Sequence, residues 1–266
     1  MRHQLMLIGT GFASALIAVV WICCSPQSVA QERDCTDRLE APRETEIGRP
    51  VLVLFDADPW LMVMGSDSPR FALYDDGLLI FRTGASYKQT RLAAAQVKAI
   101  RDSVRVGALS CHIGFYEVSH STDQPTETIF VGRGGGLAQI SVYGSLKGEE
   151  ARKKIPGPVV EAYDRLSAYS NANAQDWLPA NIEVMAWPYE YAPEPSIVWP
   201  KKWPGLRSPE AVSRGDGYSL FVPSADYNEL VAFLKTQREK GAVEIEGKKW
   251  AVSLRLPFPQ ESSWMR

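Results

Sequence analysis

The turn Asp75-Asp76-Gly77, set between the apolar runs Phe71–Tyr74 and 78–81, constrains this chain most. An Asp-Gly pair flanked by apolar segments favours a tight β-hairpin, because glycine takes the positive φ that such turns demand. The pattern recurs. Segments 126–131 and 137–143 flank the glycine-rich turn 132–136, and segments 243–245 and 250–256 flank Glu246-Gly247-Lys248. Residues 51–55 form an unbroken β-branched apolar run that reads as a buried strand, and 182–187 and 218–222 read as further strands.

Helices are fewer. Thr90 is placed to cap a helix running to about Arg105, with Ala93, Val97, Ile100 and Val104 on one face. A second helix starts near Pro158 and turns Val159, Ala162, Leu166 and Tyr169 inward. In a third, Ser224 caps residues 225–240, Tyr227, Leu230, Val231 and Leu234 form the buried face, and Gly241 ends it. Strands paired by hairpins, with about three packed helices between them, predict an α+β fold with antiparallel sheet.

The N-terminus indicates location. Arg2 and His3 precede an almost uncharged apolar run over 5–24, and Pro26 and Ser28-Val29-Ala30 follow. Small residues at Ser28 and Ala30 suit signal peptidase, so residues 1–30 read as a signal peptide cleaved after Ala30. The run is also just long enough to span a bilayer, so an uncleaved N-terminal anchor is the alternative. Bulky Ile22 before Cys23, and Trp21-Ile22-Cys23 before Cys24, argue against a lipoprotein. Either reading puts the remainder outside the cytoplasm, secreted or periplasmic. Residues 31–48 are charged, polar and aperiodic, a flexible leader. Units at 49–172 and 178–266 follow, divided at the Asn/Ala/Gln-rich stretch near 171–178, or else they form one continuous domain.

Removing residues 1–30 leaves 28 Lys+Arg against 31 Asp+Glu, with no block of like charge. A chain without a basic stripe is a poor partner for nucleic acid. Cys35 and Cys111 are the cysteines left after cleavage, and in an oxidising compartment they are expected to pair.

Known catalytic signatures fail on inspection. Asp56-Ala57-Asp58 after an apolar strand resembles the nucleophile motif of haloacid-dehalogenase-like phosphatases, but Pro59 stands where a hydroxyl residue belongs and the later motifs are missing. Gly132–Gly136 lacks the Gly-Lys-Ser/Thr of a phosphate cradle and leads into a strand. His112 and His120 have no cysteine or carboxylate constellation for zinc, and no serine sits in a Gly-x-Ser-x-Gly elbow. No cofactor is expected. Aromatic residues crowd the proline-rich stretch 188–209 and its approach. Trp187, Tyr189, Tyr191, Trp199 and Trp203 are therefore the candidate ligand-binding residues, able to stack on sugar rings or peptide prolines unless they serve to pin the segment to the core.

The segments 69–77 (Pro-Arg-Phe-Ala-Leu-Tyr-Asp-Asp-Gly) and 122–129 (Thr-Asp-Gln-Pro-Thr-Glu-Thr-Ile) resemble stretches that recur in uncharacterised exported bacterial proteins. There a Leu-Tyr-x-Asp-Gly hairpin is followed by a helix and later by a Thr-Asp-x-Pro-Thr segment. The likeness spans about residues 69–145. It implies export and an α+β fold, and it transfers no site residues. The expectation is an exported binding or structural protein with an unknown envelope ligand or protein as partner. The alternative is an exported hydrolase, metal-dependent or not, built on Asp56, Asp58, Asp75 and Asp76.

Overall fold

A computed structural model describes residues 48–265, which lie in one compact unit. Their architecture is mixed α and β, with fourteen strands in two mostly antiparallel sheets and five α-helices. The first sheet contains β1 (Pro50–Ala57), β2 (Phe71–Tyr74), β3 (Leu78–Thr83), β4 (Ser86–Arg91), β5 (Gly114–Glu117), β6 (Thr126–Arg133), β7 (Gly136–Tyr143) and β8 (Gln175–Asp176). Their spatial order is β5-β7-β6-β1-β2-β3-β4-β8. The second contains β9 (Asn181–Pro188), β10 (Ile197–Val198), β11 (Val212–Arg214), β12 (Gly217–Pro223), β13 (Val243–Ile245) and β14 (Lys248–Arg255), ordered β10-β13-β14-β9-β12-β11. Only the edge pairs β5 with β7 and β10 with β13 run parallel. The helices are α1 (Ala94–Ser103), α2 (Val106–Leu109), α3 (Glu149–Arg152), α4 (Gly157–Ser167) and α5 (Tyr227–Leu234).

The hairpin chemistry explains the sheets. Gly77 closes the β2–β3 turn at φ +86°, where a Cβ would stand 2.1 Å from the Leu92 carbonyl oxygen, so only glycine fits. The turn between β13 and β14 places Glu246 and Gly247 both at positive φ, the geometry that matches strand twist.

Central strand β1 is covered on both sides. Leu52 and Leu54 join Phe71, Leu73, Ile129 and Ile140 against Val97 of α1 and Val159 and Leu166 of α4. Val53 and Phe55 join the other cluster, with Ile182, Val184, Leu220 and Val252 of the second sheet. Burial on two faces is why residues 51–55 lack polar alternation. The first sheet ends in sequence with β8, paired to β4, and the second begins with β9. Both sheets feed one apolar cluster. Links across them include Tyr74 Oη donating to the Pro259 carbonyl at 2.9 Å and Leu256 N–H donating to Ser68 Oγ at 2.8 Å.

Two helix expectations need correction. Thr90 belongs to β4, not to a helix N-cap. The meander β2-β3-β4 continues far enough to bury Tyr87, and α1 starts only at Ala94, where the Gln96 side chain accepts the Ala93 N–H at 2.8 Å. The helix expected over 225–240 is shorter. Residues 224–226 form a 3₁₀ turn, Ser224 Oγ donates to the Pro179 carbonyl instead of capping, and α5 stops at Leu234, well before Gly241. Residues 235–240 are all polar and have no apolar face to bury, and Thr236 Oγ1 takes the Phe233 carbonyl at 2.6 Å. The signal segment, the leader 31–47 and Cys35 lie outside the described residues.

Candidate functional site

An open cleft of about 750 Å³ runs over the ends of β9, β12 and β14. Its walls come from four separate stretches: Trp187, Pro188 and Glu190 at the end of β9, Leu206 and Arg207 from the following loop, and two hairpins, one carrying Gly215, Asp216 and Tyr218 and the other Glu246, Lys248, Lys249 and Trp250. Because side chains alternate along a strand, Trp187 projects from the opposite face of the sheet to Tyr218 and Trp250. The cleft wraps the strand ends and collects both. Tyr218 and Trp250 meet edge to face at 5.5 Å between ring centres. Trp250 is buried, and its Nε1–H has no hydrogen-bond partner among the described residues. Arg207 Nε and Glu246 Oε2 form an ion pair at 2.9 Å on one wall.

The five aromatic residues singled out from sequence separate into distinct roles. Trp187 is 49% exposed and lines the cleft. Tyr189 is half-buried beside it, its N–H held by the Lys249 carbonyl at 2.9 Å. Tyr191 is 92% exposed and does not line the cleft. Trp199 and Trp203 correct the expectation of a stacking surface, because both are buried. They pack on each other at 5.0 Å and edge-on against Phe233 of α5. Their N–H groups donate to the Pro204 carbonyl at 3.1 Å and to Asp226 Oδ2 at 2.9 Å. They pin the proline-rich segment to the core, and the loop that Trp199 holds at Pro204 continues into Leu206 and Arg207 of the cleft wall. Tyr218, Trp250 and the turns at 215–216 and 246–248 are absent from the sequence-based candidates for binding, although the second of these turns is legible as a hairpin. Their only signal was the turn chemistry at Gly215 and at Glu246-Gly247, which says where the strands end but not that the ends converge.

The acids considered for hydrolysis do not meet. Asp56 and Asp58 lie at the C-terminal end of β1, while Asp75 pairs with Arg49 at 3.3 Å at its other end, some ~20 Å away by strand rise. Asp76 accepts Leu78 N–H at 3.0 Å and pairs with Arg91 at 3.0 Å, which holds its carboxyl below the ordinary range even though partial burial works the other way. Asp75 and Asp76 therefore shape a turn. Asp67, absent from the sequence-based selection, joins Asp58 instead and accepts its N–H at 3.3 Å. Burial pushes the Asp67 carboxyl up to about 6, and the charges of Asp58 and Asp56 push the same way. Among the described residues no three His, Cys, Asp or Glu side chains converge as a metal cage.

A second, smaller cavity of about 200 Å³ borders a buried ionic network. Glu183 of β9 is 1% exposed and meets Arg255 of β14, itself 3% exposed, together with Arg214 at 3.1 Å and the Ser219 hydroxyl. Arg255 Nη1 also donates to Glu261 Oε1 at 2.9 Å, fastening the C-terminal segment across the sheet. Every charge here is answered, which marks a structural clamp.

The fold and cleft define an α+β protein of two packed sheets with one open mixed aromatic and polar groove. No protein-family model, curated protein or solved structure matches the chain.

Proposed function

We propose that this chain is an exported binding protein of the cell envelope or extracellular space that works without a cofactor and holds its ligand in the cleft beside Trp187. The observation that carries this reading is a large indole left half-exposed among polar groups on the rim of a 750 Å³ groove, the composition of a recognition site. Trp199 and Trp203 of the neighbouring segment are buried against Phe233, whereas Trp187 stays half-exposed in the cleft. The alternative hydrolase loses its geometry, since its four acids divide between opposite ends of β1.

Export rests on the N-terminal segment and on the resemblance of 69–77 and 122–129 to exported bacterial proteins. Cleavage after Ala30 and a Cys35–Cys111 disulfide belong to the same proposal. Cys111 is exposed at the turn after α2. Expression of the full chain and mass measurement of the product test this part: a mass beginning at Gln31 with no free thiol is expected, while an intact N-terminus would indicate the anchor and a titratable Cys111 would remove the disulfide.

The binding reading is tested by thermal shift of that product against glycans, cell-wall fragments, peptides and divalent ions. A ligand that binds only the native state raises the melting temperature. A shift abolished by Trp187→Ala supports the cleft. A Ca²⁺ or Mn²⁺ shift lost in Asp56→Asn would turn the assignment to the acidic end of β1.

A further inference from the structure

We infer that the ligand class of the cleft is an uncharged oligosaccharide, an inference that rests on the binding reading above. Three features of the site select it.

The first is the seat of Trp187. Gly217 lies on the neighbouring strand, and a Cβ there would stand 2.6 Å from the Ala186 carbonyl oxygen and 3.5 Å from Trp187 Cε3. The missing side chain lets the indole rest over the backbone of β12. One side of the ring is thereby supported, and the ring keeps half its surface open. A supported, exposed aromatic plate matches the flat C–H face of a pyranose, which needs no charge to bind it.

The second is charge. Glu190, Asp216 and Glu246 line the cleft with Arg207, Lys248 and Lys249, three of each sign, and Arg207 and Glu246 already satisfy one another. A site for an anion or a cation would be biased to one sign. Here three carboxylates and three cationic groups supply acceptors and donors with no net formal charge, a lining that neutral hydroxyls can answer both as donors and as acceptors.

The third is the apolar part of the wall, where Tyr218 and Trp250 meet edge to face at 5.5 Å between ring centres. Aromatic lining beside polar groups suits a ligand that carries both C–H faces and hydroxyls, as a sugar ring does. An extended peptide is the less suitable occupant. A peptide that adds as a strand needs a sheet edge, whereas this cleft crosses strand ends and offers side chains rather than a ladder of free backbone groups, so the peptide competitor to test is a proline-rich one.

The experiment is tryptophan-fluorescence titration of protein recovered from cells expressing the full chain. The probes are maltotetraose, cellotetraose and chitotetraose, with a proline-rich decapeptide alongside. At least one tetrasaccharide should bind, with affinity reduced about tenfold or more in Trp187→Ala and largely kept in Trp187→Phe. Raising salt from about 50 to 500 mM should change that affinity by less than about twofold, because no net charge is neutralised. Peptide binding without saccharide binding, lost in Trp187→Ala, overturns the ligand class and leaves the cleft as the site. No binding by any probe, or saccharide binding indifferent to both Trp187→Ala and Lys248→Ala, overturns the cleft reading as well.

Discussion

Asp56 on β1 and Glu127 on β6 stand directly opposite one another, two carboxyl groups paired across antiparallel strands. Like charges so placed destabilise a sheet, and the surrounding contacts show how the fold tolerates them. Arg70 Nη1 donates to Asp56 Oδ2 at 3.3 Å and continues to the Ser167 carbonyl at the end of α4. Glu127 is buried and accepts the Leu146 N–H at 2.7 Å and the Tyr163 hydroxyl at 3.0 Å. Burial pushes the Glu127 carboxyl up, those two donors pull it down, and the Asp56 charge adds to the rise.

Glu127→Gln should therefore be neutral or stabilising at pH 7, because the amide keeps an acceptor for Leu146 and sheds the buried charge. Glu127→Ala should be destabilising by about 1–3 kcal/mol, since it strands a buried N–H and a hydroxyl. A carboxyl raised in the folded state binds its proton more tightly there than in the unfolded chain. Wild-type stability thus rises as pH falls through the folded value toward the unfolded one, and Glu127→Gln loses that share of the slope. Urea unfolding at pH 7 and pH 5 measures both effects; equal losses for Gln and Ala would contradict them.

Asp67 follows the same sign in a defined window. Its carboxyl is raised from 3.8 to about 6, so between those values the folded protein holds a proton that the unfolded chain has released. Its penalty is present above pH 6 and disappears as pH falls toward 4. Asp67→Asn keeps an acceptor for the Asp58 N–H and should stabilise the protein at pH 7 by roughly 1 kcal/mol, a figure already reduced for solvent screening of a partly exposed group. The gain should vanish at pH 4. Paired melting curves at the two pH values decide it.

Arg255→Met should be among the most damaging single changes. It leaves Glu183 buried without its principal cation and unfastens Glu261, so a loss of about 3–5 kcal/mol is expected. Limited proteolysis should then cut within residues 256–265 before the sheets open. Simultaneous replacement of Glu183 and Arg255 by apolar residues should recover much of the stability, whereas an additive double mutant would mean the two do not interact.

Trp203→Ala should lower stability by about 3–5 kcal/mol, with the Asp226 carboxylate losing its indole donor. Trp187→Ala should change stability by less than about 0.5 kcal/mol. The contrast separates core from contact surface inside one aromatic-rich segment, and chemical denaturation of the two variants measures it. A large loss for Trp187→Ala would make that residue structural.

The sequence by itself determined the hairpins, because a turn is decided by dihedral preferences within a few residues. Asp75-Asp76-Gly77, the 132–136 glycines and Glu246-Gly247 specify their turns wherever the strands go. The same locality made strand β1 and helix α4 legible, each from its own apolar period. Tertiary structure decided the rest. Thr90 is a competent N-cap, yet pairing with β3 holds it in a strand, since a ladder of hydrogen bonds and the burial of Tyr87 outweigh a local capping preference. Trp187, Trp199 and Trp203 are chemically alike and close in sequence, and only the arrival of α5 over two of them made those two core. Asp75 and Asp67 exchanged places as partners of the β1 acids for a similar reason: the length of β1 carries Asp75 away, and the loop after it returns Asp67 to Asp58. The cleft itself joins β9, the 204–207 loop and two hairpins spread over residues 187–250. No local pattern encodes that meeting, because burial and convergence depend on which distant segments pack together.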